Sequence, residues 1–373
     1  MSYKAAWFSC PIKAQDSSGV YSALSAGASV FFSLGDVPYT NSGTTQWGIT
    51  TVAVDKDSSE AEFDDHYNQM FAGPVWSQLP TFYMMADDHE WGGDNWDHSL
   101  AQSESQTPIG ATTQAEVDTH WDRGNKAFIT AASTYSDNPV NADADAIAEA
   151  PSQADASAAN YPVRYFRVGY DINGVVDNST PHTEYFFIDC ISYRDPIANT
   201  DDGSIAAPNK TMLGVNQRTW LKAHLSSSAA TFKVIVSTKK TYSQTSADNS
   251  DTWGAYTLER DNVLKHIDDN ITGVLWLVGD KHYPQVIVKR KSDGDDYDHL
   301  SVNACPIGVV TNTFAATPGI VWSYDSQVVG ILEVYEDYLI PRIAKAETGD
   351  ALWTGRLDAG ENKISSAALA VSI

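Results

Sequence analysis

The segment Asp87-Asp88-His89-Glu90 puts four ionisable residues side by side, directly after the apolar run Thr81-Phe82-Tyr83-Met84-Met85-Ala86. Adjacent acids repel, so two of them ionised in a cleft call for a cation to neutralise them. His89, beside a metal-bound carboxylate, is placed to protonate a leaving group. Read alone, the segment also fits a solvated loop after a strand. Trp91-Gly92-Gly93-Asp94-Asn95-Trp96 follows it.

Two more apolar runs end in the same dipeptide. Val30-Phe31-Phe32-Ser33-Leu34 leads to Gly35-Asp36, and Val274-Leu275-Trp276-Leu277-Val278 leads to Gly279-Asp280. Glycine permits a sharp turn where a strand leaves its sheet. The Asp then projects from the strand's carboxyl end, where α/β proteins place their sites. Its oxygens suit a hard cation or bridge two. A lone Gly-Asp reads as a turn or a helix cap. Here each copy is followed closely by another ligand type: Lys281-His282 after Asp280, and Val37-Pro38-Tyr39 after Asp36. Asp280 and His282, two apart, can point at one metal from a loop. A Tyr ligand suits a strong Lewis acid such as ferric iron, but by spacing alone Tyr39 reads as a packed aromatic.

Cys10 follows Ala5-Ala6-Trp7-Phe8-Ser9, a short first strand, and alone reads as a buried core cysteine. Cys190 and Cys305 read the same way. His98, His120, His224, His266 and His299 have no comparable context and read as surface or cap histidines.

The elements that would carry these residues alternate. Apolar β-rich runs occur at 29–34, 81–85, 184–188, 231–237, 273–278 and 328–334. Helical patterns fall at 60–72, 113–132, 216–226 (with Asn216 as its N-cap) and 257–270. Strands alternating with helices predict an α/β core with buried sheets. Residues 136–160 are rich in Ala, Asp, Asn, Ser and Pro and read as a surface insertion or lid-like loop. A second polar stretch, 242–253, lies between a strand and a helix.

Composition narrows the function. The 373 residues carry 24 Lys and Arg against 48 Asp and Glu, a net charge of −24. That disfavours a nucleic-acid backbone binder, whose phosphate contacts need Lys and Arg. It fits solubility in salty water, or cation binding. A hydrophobic share of 42%, with eleven Trp and eighteen Tyr, supplies a large core and argues against general disorder. No run approaches the roughly eighteen apolar residues of a membrane helix. Three cysteines give no disulfide framework. The N-terminal Met-Ser-Tyr-Lys-Ala-Ala-Trp-Phe lacks a signal-peptide layout, so a complete chain would not be exported by the usual route. Compartment and oligomeric state stay open.

Taken in order, Ser9-Cys10, Gly35-Asp36-Val37-Pro38-Tyr39, Asp87-Asp88-His89-Glu90 with Asn95, and Gly279-Asp280-Lys281-His282 resemble the PhoD-like alkaline phosphatases, a branch of the calcineurin-like metallophosphoesterases. The segments between agree. Glu184 to Pro196 resembles a family strand closing on Tyr193-Arg194-Asp195. Met212 to Val236 resembles a family helix and strand, and Asp251 to Leu264 does too. The chain departs from the family at Ile191, where an Arg is usual, and in the Gly-rich stretch from Trp91 to Asp94. The family's N-terminal β-domain and export signal are not seen.

The resemblance implies one domain over residues 1–373, a metallophosphoesterase-type β-sandwich flanked by helices (α/β/β/α), with the polar insertion around 136–160. It implies a ferric iron, Fe(III), held by Cys10, Asp36 and Tyr39, with two calcium ions, Ca(II), beside it. Thiolate, carboxylate and phenolate together favour ferric over ferrous iron. Asp88, Asn95, Asp280 and His282 would complete the cluster, Asn95 alternatively touching a phosphate oxygen. Asp87 and Glu90 would hold their neighbours in place. The implied reaction is hydrolysis of small phosphate esters, a metal-bound hydroxide or oxide attacking phosphorus while His89 assists the leaving group. Two alternatives remain: a phosphodiesterase or phospholipase-type activity at the same site, and a non-enzymatic calcium-binding protein. Against the second, no Asp-x-Asp-x-Asp-Gly-type loop appears, Asp143 and Asp145 lying in an Ala-rich stretch.

Overall fold

The computed structural model describes residues 3–10, 18–40, 53–92, 110–138, 164–242, 251–280, 282–293, 295–305, 320–323 and 327–362. The strands are β1 (Tyr3–Phe8), β2 (Val30–Leu34), β3 (Phe82–Met85), β4 (Phe166–Tyr170), β5 (Thr183–Ile188), β6 (Gly203–Ser204), β7 (Ala207–Pro208) and β8 (Phe232–Ser237). They continue with β9 (Val274–Val278), β10 (Gln285–Lys289), β11 (His299–Asn303), β12 (Ile320–Ser323), β13 (Val328–Val334), β14 (Tyr338–Lys345), β15 (Ala351–Thr354) and β16 (Leu357–Asp358). The longer helices are α1 (Ser18–Ser25), α2 (Glu60–Phe71), α3 (Gln114–Tyr135), α4 (Gly214–Ser227) and α5 (Thr257–Asn270).

Two seven-stranded sheets form. One runs β15-β14-β13-β1-β2-β3 with β16 on β14, the other β12-β10-β11-β9-β8-β5-β4. Both carry apolar side chains on both faces, as strands covered on two sides must. In β1, Tyr3, Ala5 and Trp7 face the other sheet, while Ala6 and Phe8 face helices α1, α2 and α3. In the second sheet, Tyr185, Phe187, Val234, Val236, Leu275 and Leu277 fill the inter-sheet core. Their alternates Phe186, Ile188, Ile235, Val274, Trp276 and Val278 pack on α4 and α5. The period-2 alternation of Cβ directions thus yields the expected four layers, helix-sheet-sheet-helix.

The predicted strands and helices fall where the periodicity placed them, with one correction. Asn216 is not an N-cap. It lies inside α4, which starts at Gly214. The Thr211–Leu213 turn in front is held instead by the Glu259 carboxylate of α5, which accepts from Met212 N (2.5 Å) and Leu213 N (3.1 Å). A carboxylate from a neighbouring helix does there what a local side chain was expected to do. Helix α3 has the local device, a capping box in which Thr113 Oγ1 accepts from Glu116 N (3.3 Å) and Glu116 accepts from Thr113 N (3.1 Å). Of the polar insertion, 139–160 lies outside the described residues, as does 243–250 of the second polar stretch. Among the described residues no helix is long and apolar enough to cross a membrane.

Candidate metal centre

Strands β1, β2 and β3 are mutually parallel, as are β5, β8, β9 and β11. Cys10, Asp36 and Asp87 lie just beyond the carboxyl ends of the first set. Lys239, Asp280 and Cys305 lie just beyond those of β8, β9 and β11. The two sets meet, because a Cβ built on Gly279 would stand 3.0 Å from Leu34 O and from Ser9 Oγ. Gly35 is tighter. At φ +84 it takes a conformation L side chains avoid, and a Cβ there would lie 2.5 Å from Asp87 Cβ.

Among the described residues, the non-glycine residues with positive φ are Cys10 (54°), Asp36 (57°) and Asp280 (70°). The left-handed region costs an L-residue about 1–2 kcal/mol. Such strain concentrates where a site dictates the backbone. All three are positions that the sequence marks as ligands.

One side of the centre is a sulfur- and phenol-rich group. Cys10 Sγ lies 3.3 Å from Asp36 Oδ2 and donates at 3.4 Å to the Asp280 carbonyl. Tyr39 OH reaches Asp36 Oδ2 at 3.4 Å and His282 Nε2 at 3.1 Å. The other side is carboxylate-rich. Asp36, Asp87, Asp88 and Asp280 each offer an oxygen within 4.8 Å of the others. His89 packs on Tyr39 with ring centroids 4.1 Å apart and a tilt of 35°, and its backbone N–H donates to Asp36 Oδ1 at 3.4 Å.

A shell of backbone contacts fixes this arrangement. The Glu90 carboxylate accepts from Val37 N (2.7 Å), Asp87 N (2.7 Å) and Asp36 N (3.1 Å), tying the β2 loop to the β3 loop. Burial nevertheless holds it up at about 7, against the pull of those three donors. Thr40 binds the His89 carbonyl through its Oγ1 (2.8 Å) and its N (3.1 Å). Trp91 stacks on Trp121 of α3 at 4.5 Å and lies under the Arg164 guanidinium at 4.7 Å.

The sequence-marked residues Cys10, Asp36, Tyr39, Asp88, His89, Asp280 and His282 therefore come together, with Asp87 and Glu90 beside them. Asn95 lies outside the described residues, as does His98. Two histidines correct the surface reading. His120 is fully buried, bridging the Trp91 and Asp55 carbonyls and thereby docking α3 on the β3 loop. His299 is also buried, its Nε2 2.8 Å from Thr241 Oγ1. Both serve buried polar contacts between segments distant in sequence.

Three participants carried no local signal. Lys239 is fully buried, its ammonium 2.8 Å from Asp251 and Asp280, 2.9 Å from Asp87 and 3.5 Å from Asp88. Asp251 joins the cluster through it. Cys305 Sγ sits 3.0 Å from Cys10 Sγ. The signal for Lys239 is its place directly after the all-buried strand β8, whose neighbour β9 ends in Gly279-Asp280.

Three donor groups fit metal ions: Cys10, Asp36 and His282; Asp36, Asp88 and His89; and Asp36, Asp87, Asp88 and Asp280. Asp36 belongs to all three, so it is the bridging candidate. Thiolate, imidazole and phenol oxygen suit a transition metal, and clustered carboxylates suit a hard cation. Without metal ions Asp36 and Asp87 resist ionisation. Burial, then the charges of Asp88 and Glu90, pushes Asp36 well above the usual carboxylate range, and burial does the same to Asp87. A bound cation reverses that preference.

Comparison with known proteins agrees. Alkaline phosphatase D of Bacillus subtilis (strain 168) is 34% identical over 107 residues, 26% of this chain and only 18% of that relative's length. The solved structure of PhoD superposes with a TM-score of 0.71 at 16% identity, covering 100% of this chain and 72% of that one. Purple acid phosphatase PPD1 from yellow lupin (Lupinus luteus) seeds has a TM-score of 0.59 at 10% identity, covering 96% of this chain and 54% of that one. These two likenesses show a shared metallophosphoesterase-type fold. Residues 5–305 match the PhoD-like phosphatase family. With that match extending over most of its length, and the strand-end residues converging around Asp36, the chain belongs to the PhoD-like phosphatase family.

Proposed function

We propose that this chain hydrolyses small phosphate esters at the centre built on Asp36. The observation that carries the reading is the sharing of Asp36 by three donor groups at the joined ends of two sheets. Cys10, Asp36, Tyr39 and His282 would hold iron, and Asp36 and Asp88, beside His89, a calcium-type ion. Such ions, when bound, supply positive charge to phosphate oxygens and acidify water. Their charge also offsets the approach of a phosphate to a protein of net charge −24.

The chain's own residues do the rest. Asp36 and Asp280, locked in left-handed turns, keep their carboxylates aimed at one point. Glu90 fixes the two loops against each other through three backbone donors. His89 is held by its packing on Tyr39 and, at its carbonyl, by Thr40, and its imidazole gives a proton to the leaving oxygen.

The test is turnover of p-nitrophenyl phosphate and bis(p-nitrophenyl) phosphate, before and after chelation. Chelator-sensitive release from the monoester supports the reading, and turnover confined to the diester reassigns the substrate class. His89→Ala should keep its metals and lose about 10²–10⁴-fold in turnover. Loss of metal in step with activity would make His89 a ligand instead, which its place near Asp36 and Asp88 also allows.

A further inference from the structure

We infer that the Lys239 ammonium is a built-in cation of the centre, filling a position among the carboxylates that a divalent ion would otherwise take, so that the chain binds no more than two metal ions. The inference rests on reading the centre as a metal site. Lys239 Nζ is enclosed by four carboxylates, at 2.8 Å (Asp251), 2.8 Å (Asp280), 2.9 Å (Asp87) and 3.5 Å (Asp88). A hard cation recruits oxygens in the same way. Three of these four, Asp87, Asp88 and Asp280, are also the three carboxylates that could hold an ion with Asp36. Ammonium and ion therefore compete for the same oxygens.

The lysine is not free to swing away. Its side chain is fully buried. Its carbonyl accepts from Ser237 Oγ at 2.7 Å, and the next residue's carbonyl accepts from Trp253 N at 3.2 Å. A divalent ion set among these oxygens would stand beside a fixed positive charge inside the protein, where like charges interact strongly. The other two donor groups draw less on these oxygens. Cys10, Asp36 and His282 include none of the four carboxylates that enclose the ammonium. An ion between Asp36 and Asp88 shares only Asp88 with the ammonium, at the longest of the four contacts. Two cation positions remain for metals, and the third is part of the polypeptide.

The experiment counts metals by elemental analysis of the intact chain, dialysed against excess iron and calcium salts, beside Lys239→Met, which keeps the bulk and removes the charge. Wild type should hold one or two ions per chain. Lys239→Met should hold one more, or bind calcium at least about tenfold more tightly, and its melting temperature should climb more steeply with calcium than that of wild type. Three ions in wild type would overturn the inference, as would a variant with unchanged count and calcium affinity. If Lys239→Met fails to fold without metal, its refolding in millimolar calcium supports the inference, and the wild-type count still decides it. A wild type holding no metal at all would sink the metal-site reading itself, a result distinct from one that holds three.

Discussion

Replacing Gly35 by Ala separates two costs that the structure assigns to one position. The new Cβ would occupy a backbone at φ +84 and lie 2.5 Å from Asp87 Cβ and 2.9 Å from Asp87 N. The first is a conformational cost of about 1–2 kcal/mol. The second is an overlap with main chain, which cannot turn aside, and adds about 1–3 kcal/mol. Gly27 isolates the first, since it has the same φ of +84 and nothing within 4 Å of its Cβ position. Gly27→Ala should therefore cost about 1–2 kcal/mol and leave the centre untouched. Gly35→Ala should cost about 2–5 kcal/mol and also weaken metal binding, because Asp87 must shift. Urea denaturation of the three proteins reads this directly as displaced midpoints at constant slope. Equal midpoints for Gly27→Ala and Gly35→Ala would refute the claimed contact between the β2 turn and Asp87, and with it the account of how the loops are joined.

Further consequences follow from single residues. Glu90→Gln replaces a carboxylate that accepts three backbone N–H bonds by an amide with a single acceptor oxygen. Destabilisation of about 2–4 kcal/mol is expected, with reduced metal retention, measured by denaturation and elemental analysis. His299 is kept neutral, chiefly by burial and then by Arg260 and Lys289, with its pKa lowered from 6.5 to about 3. Its contribution is complete above about pH 6.5. As pH falls towards 3 the unfolded chain takes up a proton that the folded one refuses, and stability drops by up to about 1.4 kcal/mol per pH unit. Substituting His299→Gln should flatten that part of the pH–stability curve, and an unchanged slope would contradict the assignment. Ferric iron on Cys10 and Tyr39 should give a visible charge-transfer band that shifts in Cys10→Ser and fades in Tyr39→Phe. A colourless, iron-free, active protein would refute the iron assignment while leaving phosphoesterase activity intact.

Much of the centre was legible because its residues sit at strand ends. A run such as Val30–Leu34 announces its strand by composition, and the Gly-Asp that follows announces the turn. What could not be read is whatever the fold brings from elsewhere. Lys239, in Ser237-Thr238-Lys239-Lys240-Thr241, looks like a basic surface turn until β8 is placed between β5 and β9. Its partner Asp87 is 152 residues away in the chain and on the other sheet. Cys305, read as a buried core cysteine, is indeed buried, but nothing local shows that it ends against Cys10. His120 was misjudged because its acceptors, the Asp55 and Trp91 carbonyls, are 65 and 29 residues off. Asn216 was misjudged because Glu259, on another helix, holds the turn in front of α4. Local chemistry fixes elements and turn ligands, whereas charge compensation is decided by tertiary contacts.

The central claim is that phosphate ester hydrolysis depends on cations gathered around Asp36. Metal content and p-nitrophenyl phosphate turnover of wild type and Asp36→Asn, measured side by side, test it most directly. Losing one shared ligand should empty more than one position, so Asp36→Asn should lose both iron and calcium, and its turnover should fall to background. An Asp36→Asn protein that keeps its metals, or that hydrolyses the ester without them, would contradict the account.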